Sequence, residues 1–110
     1  MTSVVFTRSL GKIVSFNISG HTGYAKVNKD IVCSAISAIS LTIANGITEI
    51  LKIGMECRAK DGFLSGDLHK LSFEEIDKCQ VLLETMLLGL ESIEIKYRKY
   101  IEVKIEIEEV

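Results

Sequence analysis

The order in which two hydrophobic periods follow one another along the chain most constrains its fold. Between residues 12 and 20 apolar and polar residues alternate, so that Val14, Phe16 and Ile18 would share one side of a strand. A second β-rich run at residues 4–7 precedes this segment across a glycine-containing turn. Together the two runs predict an opening antiparallel hairpin with one buried face.

Two later segments carry helical spacing instead. Asp30 is a suitable N-cap, and the helix that follows is predicted to end at Gly54, where a left-handed C-terminal cap is expected. Ser72 and Glu75 form a capping box, which opens a second helix ending near Tyr97; a strand over its last five residues is the alternative. The predicted buried stripes recur at three- and four-residue steps and multiples of them: Val32, Ile36, Ile39, Ile43, Ile50 and Ile53, then Ile76, Cys79, Leu83, Met86, Leu90, Ile93 and Tyr97.

The remaining segments read as strands. Asp61-Gly62 is a two-residue hairpin signal between β-rich runs at 55–60 and 63–68, and from residue 101 to 108 isoleucine and valine alternate with charged residues. The resulting order ββαββαβ predicts an α+β fold, a two-layer sandwich in which two helices pack on one face of a mostly antiparallel sheet. The sequence shows no repeat or linker, so residues 1–110 are predicted to form a single domain.

Composition and charge narrow the functional classes. A net charge of -2 and a pI near 5.7 argue against direct nucleic-acid binding, which usually requires a basic face. Polar residues interrupt the apolar run from Ile31 to Ile47, so it is interpreted as a buried helix of a soluble domain, with no membrane association. Three cysteines without a CxxC pair, and no leader-like N-terminus, favour free thiols in the cytoplasm.

Cys33 and His21 are the candidate reactive residues. Cys33 is the third residue after Asp30, so its thiol would lie in the first turn of the helix, where the dipole and free backbone N–H groups stabilise a thiolate. His21 ends the polar face of the preceding strand, and the eight residues Thr22–Lys29, with Gly23 and Asn28 typical of loops, can return the chain to the helix start. Such a pair could act as nucleophile and base. The alternatives are a packed apolar cysteine and an ordinary surface histidine.

The other thiols carry weaker signals. Cys57 alternates with Met55 and Ala59 on an apolar face, and Cys79 lies in the stripe of the second helix, so both are predicted to belong to the core. His69 follows Cys57 at twelve positions, the spacing that also separates His21 from Cys33, so this spacing alone is not diagnostic. Pairs of ligands at the short spacing of zinc sites are absent from the sequence, and no metal is expected.

Ser37 stands one turn after Cys33 on the same side of the predicted helix, so its hydroxyl could contact the backbone of a bound peptide. The alternative is that Ser37 and Ser40 are small residues that permit close helix packing.

The segment Gly20-His21, followed by Asp30-Ile31-Val32-Cys33, Ala35 and Ser37, resembles the ribosomal-processing cysteine proteases of the Prp family. The order ββαββαβ and the stretch Lys99-Tyr100-Ile101 agree with this resemblance. It implies a cytoplasmic cysteine endopeptidase without cofactor or metal that acts as a homodimer. It also implies a substrate, the N-terminal extension of a large-subunit ribosomal protein, number twenty-seven, which is removed by a cut after a hydrophobic stretch containing an aromatic residue. His21 and Cys33 take the places of the catalytic dyad, and Thr22–Lys29 that of a flexible loop.

On this view His21 would accept the proton of Cys33, and backbone N–H groups at the helix start, including that of Cys33 itself, would stabilise the oxyanion. No residue that would orient His21 can be identified from the sequence. Two other classes of function remain open: a non-catalytic peptide-binding or ribosome-assembly module, and a redox-sensing thiol, for which the sequence offers no resolving cysteine near Cys33.

Overall fold

The structure is a computed structural model that describes residues 1–26 and 29–109. Its elements follow the predicted order ββαββαβ: β1 Thr2–Ser9, β2 Lys12–Ser19, α1 Ile31–Asn45, β3 Glu56–Lys60, β4 Phe63–Asp67, α2 Phe73–Lys96 and β5 Ile101–Glu108. Gly23, expected in a loop, has a φ of 73°, whereas Asn28, also expected there, lies outside the described residues. The α+β prediction is confirmed.

The five strands form one sheet in the order β3-β4-β2-β1-β5. All neighbours are antiparallel except β1 and β5, which run parallel. The tight turn between β1 and β2 has positive φ at both central residues, 52° at Leu10 and 79° at Gly11, as a turn that follows the twist of a hairpin requires. β3 and β5 are the edge strands of this sheet.

The alternation of β1 and β2 separates a helix-facing side from an outer, more polar side. Val4, Phe6, Phe16 and Ile18 are buried on the helix-facing side, against an apolar stripe of α2. That stripe consists of Ile76, Cys79, Leu83, Met86, Leu87 and Leu90. The inward-facing residues of the strands and the apolar stripe of α2 therefore form one core between the two layers.

The second helix begins and ends as predicted. The Ser72 side chain accepts the N–H of Glu75 while the Glu75 side chain accepts that of Ser72, so both halves of the capping box form. The helix continues to Lys96, and the N–H of Tyr97 donates to the carbonyl of Ile93 at 2.8 Å. The alternative of a strand at this end is therefore wrong.

The end of the first helix differs from its prediction. α1 passes into a π-helical segment over Gly46–Ile50, and the left-handed residue that ends it is Lys52, with φ 56°, not Gly54. The N–H of Ile53 donates to the carbonyl of Ile47 and closes this helix end. The chain turns early because Ile53 must enter the core, where it is 5% exposed.

α1 is buried on one face only, so its interpretation as a buried helix was partly wrong. Val32, Ile36, Ser40 and Ala44 face the interior, whereas Ile50, which was predicted to be buried, is 80% exposed. By length and composition alone the stretch Ile31–Ile50 could cross a membrane, and 28% of its most apolar window is buried in the fold. Such a stretch also occurs in core helices of soluble proteins.

The last strand is half-buried only in its first part. Ile101 is fully buried, but Ile107 is 71% exposed because the helices do not extend over the end of this edge strand. There the imidazole of His69 lies between two carboxylates, with Nδ1 2.7 Å from Asp67 and Nε2 2.7 Å from Glu108. Hydrogen bonds to the carboxylates of Glu108 and then Asp67 raise the pKa of His69. Through these two contacts the imidazole links the end of β5 to the end of β4.

Candidate active site

The structure brings His21 and Cys33 to one cleft of about 490 Å³, between α1 and the β3–β4 hairpin. Cys33 lies in the first turn of α1 and is partly exposed, as predicted, and the His21 side chain is 44% exposed just beyond β2. No hydrogen bond joins these two residues, which both belong to the described part of the chain. Instead, His21 Nε2 lies 3.8 Å from Asp61 Oδ2. The cleft therefore holds both predicted reactive groups in an open arrangement.

Gly20 fixes the point at which His21 leaves the sheet. Its φ of +92° disfavours any residue with a side chain, and an added Cβ would lie 2.8 Å from the carbonyl oxygen of Met1. Its N–H donates to the carbonyl of Gly62 at 2.9 Å, and its own carbonyl accepts the hydroxyl of Thr2. The Gly20-His21 pair thus has a physical reason: only glycine permits this close approach of the backbone.

Asp30 caps α1 and also holds the loop that follows His21. Its Oδ1 accepts the N–H of Cys33 at 2.8 Å, while its Oδ2 accepts the Thr22 hydroxyl and the N–H groups of Tyr24, at 3.1 Å, and Ala25, at 3.4 Å. Burial opposes ionisation of this carboxyl group, but the four hydrogen bonds outweigh it and lower the pKa of Asp30 below its ordinary value. The predicted N-cap is confirmed and has a second role that spacing could not reveal.

This capping bond corrects one expectation about the site. The N–H of Cys33 was expected to help stabilise an oxyanion, but it points to Asp30 Oδ1. A group that already donates a short hydrogen bond to a carboxylate is poorly placed to donate to a second oxygen. The same contacts leave both oxygens of Asp30 occupied, so this residue does not orient His21.

The three tyrosines of the chain meet beside the loop. The ring of Tyr24 packs edge-on against Tyr97, with centroids 5.7 Å apart, and against Tyr100, at 5.1 Å. Edge-to-face pairs of this kind stabilise beyond their buried area. Sequence reasoning missed this cluster, because Tyr24 lies in a segment without periodicity and its partners are more than 70 positions away along the chain.

The walls of the cleft are mainly apolar. Ile18 and Leu64 line it from the sheet, and Ile36 and Leu41 from α1. Ser37 is exposed at this wall, in a position to contact a ligand, as one of its two interpretations required.

Ser40 also lines the cleft but is buried, and its hydroxyl donates to the carbonyl of Ile36 at 2.6 Å. Its role as a small packing residue is therefore the one that the structure supports.

The other two thiols differ from each other. Cys79 is fully buried in α2, as predicted, and burial, then Glu75, raise its pKa. Cys57 is exposed, so its assignment to the core was wrong. It lies on β3, an edge strand whose five residues are all exposed. Partial desolvation nevertheless raises the pKa of the Cys57 thiol.

A partly exposed cysteine in the first turn of a helix and a histidine at the same cleft are the kinds of group that thiol hydrolases use. Comparison with known proteins agrees with this class. The model of the family described as Cysteine protease Prp matches residues 1–102. The chain belongs to this family and is a cysteine-type endopeptidase.

Individual relatives support the assignment over nearly the whole length. The chain is similar to the ribosomal processing cysteine protease Prp of Bacillus subtilis, with 30% identity over 109 residues, 94% of this chain and 96% of the relative. It shares 29% identity over 92 residues with the Prp protein of Staphylococcus aureus, covering 83% of this chain and 85% of the relative.

Solved structures share the fold. Prp from S. aureus in complex with a covalently linked product peptide superimposes with a TM-score of 0.82 and 26% identity, covering 96% of this chain and 100% of that one. The same enzyme with a substrate peptide gives a TM-score of 0.77 and 25% identity at the same coverage. The fold described above is therefore that of Prp.

Proposed function

We propose that this enzyme removes the N-terminal extension of a large-subunit ribosomal protein, number twenty-seven, in the cytoplasm, with Cys33 as nucleophile and His21 as base. The observation that carries the proposal is the shared cleft, in which a thiol at a helix start and an imidazole at a strand end face the same space. The relatives' names, which specify ribosomal processing, and the peptide complexes of the S. aureus enzyme support the substrate class.

In the first step His21 accepts the proton of the Cys33 thiol, and the sulfur attacks the scissile carbonyl carbon to form a tetrahedral intermediate. Its oxyanion is stabilised by the positive end of α1 and by N–H groups of the first turn other than that of Cys33, which Asp30 occupies. The intermediate collapses when the protonated His21 gives its proton to the leaving amine, and the acyl group stays on Cys33 as a thioester. Water, activated by His21, then hydrolyses this thioester and frees Cys33.

The open arrangement of the dyad assigns a role to the loop. Because no hydrogen bond joins His21 to Cys33, the ring and the sulfur must approach one another when a peptide binds, to within the distance of about 3 Å that proton transfer needs. The loop after His21, which contacts Asp30 and Tyr97 through Tyr24, is the segment that would adjust, while the ring keeps its contact with the β3–β4 turn. Peptide binding and assembly of the dyad are therefore coupled.

The walls of the cleft account for the peptide that it would accept. A hydrophobic stretch of substrate would pack against Ile18, Ile36, Leu41 and Leu64, and the removal of its apolar surface from water favours binding. Ser37 would supply a hydroxyl to the substrate backbone. A net charge of -2 leaves the protein with no electrostatic reason to bind ribosomal RNA directly.

The direct test is cleavage of a peptide that spans the extension and the first residues of the mature ribosomal protein. The wild-type enzyme should produce one new N-terminus, read by mass spectrometry, and Cys33→Ala and His21→Ala should each lower kcat/KM by at least about 10³-fold. Cys57→Ala is the matched control, since it removes an exposed thiol outside the cleft residues and should leave cleavage unchanged.

Full activity of Cys33→Ala would contradict the assignment of the nucleophile. Tight binding of the peptide by the wild-type protein without any product would instead identify the cleft as a peptide-binding module.

We further propose that the enzyme is a homodimer joined through the outer face of its helices. Val81, Leu88 and Ile95 recur every seven residues along α2 and are 78%, 67% and 72% exposed. Between them the hydroxyls of Thr85 and Ser92 donate to backbone carbonyls of α2, so this stripe presents little unsatisfied polar surface. A heptad stripe of this kind packs against a second copy of itself.

A groove of about 720 Å³ continues this surface; it is lined by Ile43 of α1, by Leu51 at the end of the π-helical segment, and by Val81 and Leu82 of α2. Large apolar patches on a soluble protein commonly mark interfaces. The homodimer implied by the family resemblance therefore has a candidate surface, which lies on helix faces separate from the residues of the active-site cleft.

A further inference from the structure

In many sites of this kind a third group holds the histidine ring and stabilises the imidazolium formed when the nucleophile loses its proton. Asp30, close to Cys33 in the sequence, is not such a group here, because its oxygens accept the N–H of Cys33 and the contacts of the loop. Another element that borders the cleft does contact the ring.

The ring of His21 rests on the turn between β3 and β4. A Cβ added to Gly62 would lie 2.9 Å from His21 Nε2, 3.3 Å from Cε1 and 3.4 Å from Cδ2, so three ring atoms lie against the bare α-carbon. The carbonyl of the same glycine accepts the N–H of Gly20, the residue before the histidine, at 2.9 Å. The turn therefore supports both the backbone that carries His21 and the ring itself.

Asp61, the other residue of this turn, contributes the charge. Its Oδ2 lies 3.8 Å from His21 Nε2, which is longer than a hydrogen bond but within the range of an ion pair once the ring is protonated. The other ionisable groups that line the cleft are Lys60 and Cys33. The Lys60 ammonium lies over the ring of Phe63, 5.7 Å from its centroid. Asp61 is the carboxylate that lies beside His21 among the described residues of the cleft.

We propose that Asp61 is a positioning residue of this enzyme: together with Gly62 it holds the ring of His21 and stabilises its protonated form during the reaction. This inference rests on the proposed function for the roles of His21 and Cys33 and adds a third member to the site. The partner comes from a hairpin turn some forty positions after the histidine, and the Asp-Gly pair serves the fold and the chemistry together.

Asp61→Asn removes the negative charge and keeps the turn, because Asn-Gly is as favourable as Asp-Gly in a two-residue hairpin loop. The matched control is Glu56→Gln, which removes one carboxylate from the other end of the same hairpin, where Glu56 contacts Lys70. Asp61→Glu keeps the charge at a longer reach and should restore part of the effect.

Two readouts test the proposal. In NOE spectra the cross-peaks between the His21 ring protons and the α-protons of Gly62 should weaken in Asp61→Asn relative to wild type, while the ring signals of His69, held between Asp67 and Glu108, stay in place as an internal reference. At low salt, kcat/KM of Asp61→Asn should fall about two- to fivefold, the size expected for a solvent-exposed ion pair, and the loss should shrink in high salt. Glu56→Gln should change neither quantity.

The proposal is overturned if the cross-peaks between the His21 ring and Gly62 are as strong in Asp61→Asn as in wild type. It is also overturned if the loss of activity in this variant is the same at low and at high salt, since that pattern would indicate a purely structural effect. A wild-type protein that cleaves no peptide would contradict the proposed function, and the NOE comparison would still decide whether Asp61 positions His21.

Discussion

The carboxylate of Asp30 serves the helix that carries Cys33 and, at the same time, the loop that follows His21. One of its oxygens caps the helix through the N–H of Cys33, and the other gathers the Thr22 hydroxyl and the N–H of Tyr24. The residue is 3% exposed, so these bonds replace the hydration that the carboxylate loses on folding. The two halves of the proposed dyad are thus held to one another through a single buried charge.

We expect Asp30→Asn to lower the free energy of unfolding by about 1–3 kcal/mol at pH 7, the cost of weakening hydrogen bonds to a buried charged group. Because the pKa of Asp30 is lowered by folding, its stabilisation is present above the ordinary carboxyl value near 3.9 and is lost as the pH falls through the folded value. The difference between variant and wild type should therefore be largest at neutral pH and shrink below about pH 4.

Urea unfolding at pH 7 and pH 3 measures this difference. Asp77→Asn is the matched control, because it removes an exposed carboxylate whose contact with Lys12 should contribute little. Equal stability of wild type and Asp30→Asn at pH 7 would show that the carboxylate network does not hold the site.

Local sequence patterns predicted most of the helices and strands. The alternation of β1 and β2, the Asp-Gly turn and the capping box of Ser72 each depend on neighbours in sequence, and each formed as expected. The end of α1 did not, because the pull of Ile53 into the core places the left-handed residue at Lys52 rather than at the glycine. Tertiary packing overrode the intrinsic preference of glycine for this conformation.

Some residues of the candidate site could also be predicted from local sequence, and others could not. His21 and Cys33 could be singled out because the chemistry of each is tied to its local position at a strand end and a helix start. Asp61 and the partners of Tyr24 could not, since these contacts depend on how distant elements pack. Cys57 was misplaced because an alternating pattern does not tell a central strand from an edge strand outside the helical layer.

The pairing of β2 with β4 yields a prediction about packing. Phe16 stands opposite Gly66, and a Cβ on that glycine would lie 2.6 Å from the Cζ of Phe16 and 2.9 Å from the sulfur of Met55. Gly66→Ala should therefore lower the free energy of unfolding by about 1–3 kcal/mol, as overpacking of a core does. Gly54→Ala is the control, because an added Cβ there meets nothing within 4 Å.

Chemical denaturation of the two alanine variants makes this comparison. A Gly66→Ala protein as stable as Gly54→Ala would mean that the ring of Phe16 can move aside without loss.

The exposed apolar face formed by Val81, Leu88 and Ile95 is the surface through which we propose that two copies of the chain associate. We expect the wild-type protein to be a dimer by size-exclusion chromatography with light scattering, and Leu88→Glu to be a monomer, because a charge at the centre of the heptad stripe cannot be paired across it. Ile107→Glu is the matched control: this residue is 71% exposed but lies on the edge strand β5, so the variant should stay dimeric.

A wild-type monomer, or a Leu88→Glu variant that remains a dimer, would contradict this interface. A monomeric Ile107→Glu would place the contact at the edge of the sheet instead.

We expect Cys33 to carry the most reactive sulfur of the molecule, because it lies in the first turn of α1. The chain carries its own reference, because Cys57 is the more exposed thiol yet has a raised pKa, and Cys79 is buried. Limited alkylation with iodoacetamide at pH 7, followed by peptide mass spectrometry, should modify Cys33 at least about tenfold faster than Cys57. Faster modification of Cys57 would show that exposure governs thiol reactivity in this protein and that the helix start does not activate Cys33.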